Sequence, residues 1–341
     1  MKAAVHTRYG PPDVVQIAEV DKPSPARGEL LVKVRATTVN RTDCAYRAGT
    51  PVLARLVYGP LTPRATVLGC EFAGVVEAIG ERVTSFAVGQ RVFGYLEGRF
   101  GAHAEYLTIP QDASLAVMPA TILFEQAAAA CEGAHYALSM IKSAEIRSGQ
   151  HVLVNGATGG IGSAAVQLLR SLGAHVTAVC AASHAGLVTA LGAERVIDYA
   201  VQDFTTDSQR YDVVIDAVGK SSFARCRRLL HRRGFYLSSE LGPHAQNPAL
   251  ALLTPLLRGR RVTFPIPRHD QAMVEHLKAL MESGQFTPVI DRSYPLDQIR
   301  DAYRYVDTGQ KIGNVIITVD SSPPDGADHL APSTSRPQRQ Q

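Results

Sequence analysis

Apolar and polar positions fall into three textures along the chain. Over roughly the first hundred residues, the short apolar or alternating runs Leu30-Leu31-Val32-Lys33-Val34, Gly74-Val75-Val76-Glu77-Ala78-Ile79 and Gln90-Arg91-Val92-Phe93 are bounded by Gly, Pro and Asp, which predicts strands in an irregular β-barrel-like domain. From about Phe124 the texture turns helical, with Ala127 to Ala130 continuing toward Ile141, and strand and helix patterns then alternate through Val262. Such alternation predicts an α/β region, a doubly wound parallel sheet covered by helices. After Pro265 the residues Met273, Leu277 and Leu280 form one helical stripe, followed by the apolar run Asn314-Val315-Ile316-Ile317-Thr318-Val319. That run has no slot in a completed parallel sheet, so the chain is expected to return to the first domain and leave a cleft.

Within the alternating region, Val152-Leu153-Val154 stops at Asn155-Gly156-Ala157-Thr158-Gly159-Gly160-Ile161-Gly162. Ile161, Ala165, Leu168 and Leu172 then recur on one helical face, Gly173 ends the helix, and a second apolar run, His175 to Cys180, begins. Strand, glycine turn, helix and strand in this order read as a dinucleotide-binding βαβ unit, with Gly156 to Gly162 around the pyrophosphate. The second strand normally ends in an acid that binds the ribose of NAD, but no Asp or Glu occurs between Gly162 and Glu194. Small residues and the donors Ser183 and His184 stand there instead, so NADP(H) is favoured over NAD(H). Asp216-Ala217-Val218 and Ser239 to Leu241 follow two further strands at their carboxyl ends, where ribose and nicotinamide lie, although ordinary loop chemistry would account for them equally. Asn314, opening the last run, is a further candidate contact.

Composition narrows the field. The chain has 341 residues, 45% of them hydrophobic, and a formal net charge of +4, which suits a globular protein of two domains without a dedicated nucleic-acid or membrane partner. Its N-terminus lacks a secretion signal and no apolar segment is long enough to span a bilayer, so a cytoplasmic location is the default. Five scattered cysteines form no CxxC pair, which argues against a disulfide framework or zinc ribbon. The basic run Arg225 to Arg233 has no aromatic platform and reads as a solvated helix face. Residues 321–341, rich in Pro, Ser, Asp and Gln, read as a disordered tail.

Five stretches resemble the medium-chain dehydrogenase/reductase superfamily, specifically its zinc-independent, quinone oxidoreductase-like branch that includes zeta-crystallin: Val39 to Asp43 with Arg47 and Gly49, Leu68 to Val76, Val88 to Val92, Asn155 to Gly162, and Asp212 to Gly219. The resemblance implies a GroES-like catalytic domain over 1–122, a Rossmann-type NAD(P)-binding domain over 123–262, and a return to the catalytic domain over 263–320. It also implies hydride transfer to a small carbonyl or quinone substrate at the domain cleft, a homodimer, and Tyr199 as a second wall of the phosphate pocket, a residue that could equally pack on the sheet. The positions that hold zinc in metal-dependent relatives are Asn40, Cys70 and Cys131 here, and an amide is a poor zinc ligand; no metal is expected.

Without a Lewis acid, a hydrogen-bond donor must polarise the acceptor. Asn40, placed by the resemblance beside the nicotinamide, is the catalytic candidate, with capping of the following turn as its alternative. His135 stands where relatives carry Thr, and with Glu132 it brings titratable groups to the presumed cleft; His135 is either a proton donor or a satisfied buried histidine. Asp43 and Arg47, four apart, read as a helical ion pair. Reduction of quinones or α,β-unsaturated carbonyls is the first functional reading. An alcohol dehydrogenase or carbonyl reductase of the same fold, and a non-catalytic NADPH-binding protein, are the alternatives.

Overall fold

The computed structural model describes residues 1–319 apart from Glu97, Ile266 and Arg268; the segment 321–341 expected to be a tail lies outside them. A two-stranded ribbon, β1 (Lys2–Val5) and β2 (Gln16–Glu19), precedes the strands β3 (Glu29–Val39), β4 (Glu71–Ile79), β5 (Arg91–Tyr95), β6 (Tyr106–Pro110) and β7 (Leu115–Val117), which pair antiparallel. The helix α1 (Arg41–Ala48) leaves the end of β3, and Gly49 closes it in the left-handed conformation at φ 65°.

Helix α2 (Glu132–Ser143) leads into the alternating region. Its strands β8 (His151–Asn155), β9 (His175–Cys180), β10 (Arg195–Asp198), β11 (Tyr211–Asp216), β12 (Leu230–Ser238) and β13 (Arg261–Thr263) form one parallel sheet in the order β10-β9-β8-β11-β12-β13. The order reverses between β8 and β9 on one side and β11 on the other, so a crevice opens at the carboxyl ends of these strands. Val152, Leu153 and Val154 of β8 are wholly buried, as a strand covered by helices on both faces requires. Helix α3 (Gly160–Ser171) follows the glycine turn and packs on α2. The approach is close enough that a Cβ on Gly133 would stand 2.5 Å from the Gly160 carbonyl oxygen.

The chain then comes back. Strand β14 (Ile290–Pro295) and strand β15 (Asn314–Thr318) are parallel to each other, and β15 pairs antiparallel with β3, Val315 opposite Val39 and Thr318 opposite Ala36. One apolar cluster consequently runs through both lobes, taking in Val39, Cys70, Ala137, Val154 and Ile316. No helix among the described residues is long and apolar enough to cross a membrane.

Candidate active site

The glycine turn sits at the mouth of a cleft of about 900 Å³ at the carboxyl edge of the parallel sheet. Gly156 has φ +78°, and a Cβ on it would lie 2.1 Å from Val218 Cγ1; a Cβ on Gly162 would lie 2.1 Å from the Gly156 oxygen. A Cβ on Gly159 meets nothing nearer than 3.6 Å. Gly162 thus lets backbone pack on backbone, Gly156 lets the Val218 side chain close on the turn, and Gly159 leaves the cleft side open. No side chain caps the start of α3, so its first N–H groups and the positive end of its dipole are available to an anion. These residues fit a dinucleotide diphosphate.

Of the residues expected from sequence, Gly156, Thr158, Gly159, Ser183, His184, Tyr199 and Val218 line this cleft. Ala157 is fully buried with its N–H given to the Val179 carbonyl, and Gly160, Ile161, Gly162 and Ala217 do not line the cleft either; they shape the turns around it. Asp216 must be corrected. It is 0% exposed, its Oδ1 accepts from Asn155 Nδ2 and the Val218 and Gly219 N–H groups, and its Oδ2 accepts from Ser221 N–H and the Tyr236 hydroxyl. Its carboxylate organises the loop and has no face left for a cofactor. Ser239 and Leu241 lie off this cleft, on the loop whose Glu240 pairs with Arg41 of α1 at 3.8 Å.

Asn314 is also a clasp rather than a lining residue: its Nδ2 donates to the Val289 carbonyl, and its Oδ1 faces Gly160, 2.9 Å from where a Cβ would stand. Beside it the Gly313 N–H donates to the Thr158 carbonyl at 2.6 Å.

Sequence reading missed four charged cleft residues. Lys220, Arg225 and Lys311 bring positive charge, and Asp203 brings a carboxylate that pairs with Arg225 at 3.2 Å. Arg225 is exposed, as expected of that run, and it also borders the cleft. Lys311 donates to the Gly313 carbonyl and its Nζ lies 3.6 Å from the Cβ position of Gly160, at the head of α3; burial lowers its pKa against the opposing pull of Glu71 and Glu132. Only the folded chain brings these residues, far apart in sequence, to one wall.

At the other lobe Asn40 is the N-cap of α1 and 4% exposed. Its Oδ1 accepts the Asp43 N–H at 2.9 Å, while the Asp43 carboxylate accepts the Asn40 N–H at 3.1 Å, a reciprocal capping box. This fixes the amide's sense: the oxygen is held by the helix, so the NH₂ faces Cys70, donating to its Sγ at 3.1 Å. One amide N–H remains. Asp43 does not pair with Arg47; its other oxygen accepts from Gly69 N–H at 3.1 Å, and Arg47 reaches Asp307 at 2.9 Å. Around Cys70 lie two buried carboxyls. Glu71 is pushed up to about 7 by burial and by Glu132, and Glu132, itself raised by burial, accepts from the Thr42 hydroxyl at 2.6 Å.

His135 is 2% exposed and ringed by Tyr95, Tyr136 and His269. Its Nδ1 lies 3.1 Å from the Cys131 carbonyl, so the proton sits on Nδ1 and Nε2 carries only a lone pair. Burial, with His269 adding to it, lowers its pKa to about 3. A neutral imidazole with that tautomer has no proton to give at Nε2, which corrects the proton-donor expectation.

Comparison with known proteins places this geometry. Residues 26–120 match the alcohol dehydrogenase GroES-like domain and residues 191–317 match the family described as zinc-binding dehydrogenase. The quinone oxidoreductase of Sus scrofa is 30% identical over 309 residues, 87% of this chain and 91% of that one. The chain belongs to the medium-chain dehydrogenase/reductase superfamily of oxidoreductases. The superfamily assignment extends to other relatives: the 2-methylene-furan-3-one reductase of Solanum lycopersicum is 29% identical over 93% of this chain and 79% of its own. The Escherichia coli quinone oxidoreductase structure, complexed with NADPH, superposes with a TM-score of 0.80 at 26% identity over 94% of this chain and all of that one.

Membership in the superfamily raises the question of zinc, because one matched family carries it in its description. The residues here do not fit the ion. Zinc takes thiolate, imidazole or carboxylate, whereas the Asn40 amide turns its NH₂ toward Cys70 and has its oxygen in the helix cap. Burial and the neighbouring carboxyls hold the Cys70 and Cys131 thiols well above their ordinary range. Among the described residues no group of three or more His, Cys, Asp or Glu is arranged to hold a metal.

Proposed function

We propose that this chain is a zinc-independent, NADPH-dependent reductase of quinones or α,β-unsaturated carbonyls. The observation that carries the reading is the Asn40 amide, locked by the capping box with its NH₂ inward and one N–H unspent. Reduced nicotinamide, when bound, supplies a hydride from its C4. The glycine turn and the head of α3 hold the diphosphate, and Lys311 adds a cation there. Asn40 donates its second N–H to the acceptor oxygen as charge grows on it, which costs no reorganisation because the amide is already fixed. The buried surroundings of Asn40 exclude water and strengthen that bond.

Preference for NADPH is supported by the absence of any acid at the end of β9 and by Ser183, His184, Tyr199, Lys220 and Arg225 around that end of the cleft. Arg225, paired with Asp203 at 3.2 Å, is the cation assigned to a 2′-phosphate there. A homodimer is supported by the place of β13 at the edge of the sheet, unpaired on one side among the described residues, and by Leu252, Leu253, Leu256 and Leu257 nearby, which are between 57% and 78% exposed. The test is NADPH consumption by EDTA-dialysed protein across quinones, enones, aldehydes and ketones, repeated with NADH. Turnover of quinones or enones with NADPH is the expected result. Activity that appears only on adding zinc, or a clear NADH preference, would overturn the corresponding part, and tight NADPH binding without turnover of any class would favour a non-catalytic protein.

A further inference from the structure

Hydride transfer as proposed leaves two buried carboxyls without a part, Glu71 and Glu132, which are 0% and 7% exposed. Burial raises the pKa of both, and Glu132 raises Glu71 further. Lys311, whose charge acts on the pair, already bonds the Gly313 carbonyl. Two carboxyls so placed hold one proton between them more readily than two charges. Their partners say which of them holds it. Glu71 accepts from the Cys131 N–H at 3.0 Å and the Glu132 N–H at 2.5 Å, backbone donors that cannot reverse, and from the Thr38 hydroxyl at 2.6 Å. Glu132 meets groups that can turn round: the Thr42 hydroxyl 2.6 Å from Oε1, the Cys70 thiol 3.6 Å from Oε2, and the Tyr95 hydroxyl. The proton therefore belongs to Glu132.

The cluster reaches Asn40 by two routes. Asn40 caps α1 and Thr42 is the second residue of that helix, while the Asn40 NH₂ donates to Cys70, whose thiol leads back to Glu132. Thr42 is half-buried, whereas Asn40, Cys70 and Glu132 are buried, so it is the most open member of the group. A hydroxyl accepts as readily as it donates. With the proton on Glu132 Oε1, the same 2.6 Å contact runs from carboxyl to Thr42 and frees the Thr42 hydrogen for an acceptor held at Asn40.

We infer that Glu132 stores the proton that completes reduction of an enone and passes it through Thr42, an inference that rests on the reductase reading above. Hydride from reduced nicotinamide bonds to the β-carbon, and the displaced electron pair moves to the carbonyl oxygen held by Asn40. The Thr42 O–H bond breaks as its proton bonds to that oxygen, and the Glu132 O–H bond breaks to restore the hydroxyl. The enol becomes the saturated ketone, and the Glu132 carboxylate regains a proton from water once the product has left.

The infrared difference spectrum between the unaltered full chain and Glu132→Gln, taken at neutral pH without nucleotide, reads the stored proton: the C=O stretch of a protonated carboxyl is expected, and it is absent from the variant. With NADPH and 3-penten-2-one, Glu132→Gln and Thr42→Val should each lower kcat by about 10²-fold, bind NADPH as before, and slow more in D₂O than the unaltered protein does. The double variant should be no slower than either single one, because the two residues act as a unit, and Thr42→Ser should keep the rate. Both single variants read the same path, so either decides if the other fails to fold. An unchanged kcat in Glu132→Gln or Thr42→Val, additive losses in the double variant, or absence of the carboxyl band would overturn the hand-over alone. Failure of the unaltered protein to reduce any enone, with the band present, would overturn the reductase reading and the hand-over with it.

Discussion

Asn40 uses the two ends of one amide differently, and a substitution can separate them. Serine caps a helix about as well as asparagine, yet it cannot place an N–H where the amide does. Asn40→Ser is therefore expected to change stability by less than about 1 kcal/mol and to lower kcat by about 10²–10³, read from urea melts and steady-state rates on the same preparation. The residue type and position of Asn40 were legible in the sequence, and so were its two candidate roles; which end faces Cys70 required the folded cap. The two readings of His135 could not be separated for a related reason. Its spacing says nothing of the Cys131 carbonyl that takes its proton or of the three rings that bury it. A second buried histidine yields a pH prediction. His103 is lowered to about 4 by burial, with the Thr38 carbonyl on Nε2 and the Tyr303 hydroxyl on Nδ1. The unfolded chain takes up a proton there near pH 6.5 while the folded chain refuses it, so the histidine's contribution is whole above pH 6.5 and drains away as pH falls toward 4. The stability advantage of the protein over His103→Gln should accordingly shrink by up to about 3 kcal/mol across that interval, as measured by denaturant midpoints at each pH.

At the scale of elements, the strand, turn and helix from β8 to α3 were readable because all their signals are local: an apolar run, glycines, a helical stripe. Replacing Gly162 by alanine would push a Cβ to 2.1 Å from the Gly156 oxygen, backbone against backbone, and should weaken NADPH binding by about tenfold or more in a fluorescence titration. Asp216 shows the limit of local reading. Its place at the end of β11 was plain, but the end of a strand can turn inward, and five donors fold around it. Arg225 adds what spacing could not give: it is solvated, as the run of arginines suggests, but the short helix Phe223–Cys226 also sets it against Asp203 on the cleft. Arg225→Gln is expected to weaken NADPH by about tenfold and leave NADH nearly unchanged, a comparison of dissociation constants that a merely structural arginine would not split.

The whole molecule depends on contacts that close very long loops. The order of textures along the chain announced a β-rich first part, a parallel α/β middle and a homeless final strand, but not the register of β15 on β3 nor what locks the return. Arg47 of α1 is 3% exposed and paired with Asp307, at the end of a helix spanning Ile299–Asp307, while its ring-facing side lies over Tyr303 at 5.1 Å. Removing the carboxylate strands a buried guanidinium, so Asp307→Asn should cost about 3 kcal/mol in unfolding free energy. As a test of the proposed homodimer, Leu253→Asp with Leu256→Asp, on the exposed face near β13, should halve the mass read by light scattering. The tie between the Gly313 N–H and the Thr158 carbonyl has a different consequence. Because the returning loop grips the turn proposed to receive the phosphates, occupation of the turn and seating of the last strand should form a single equilibrium, each favouring the other by the same factor. Amide hydrogens of Val315 to Ile317 should exchange more slowly with solvent deuterium when the nucleotide is present, although none of these residues lines the cleft.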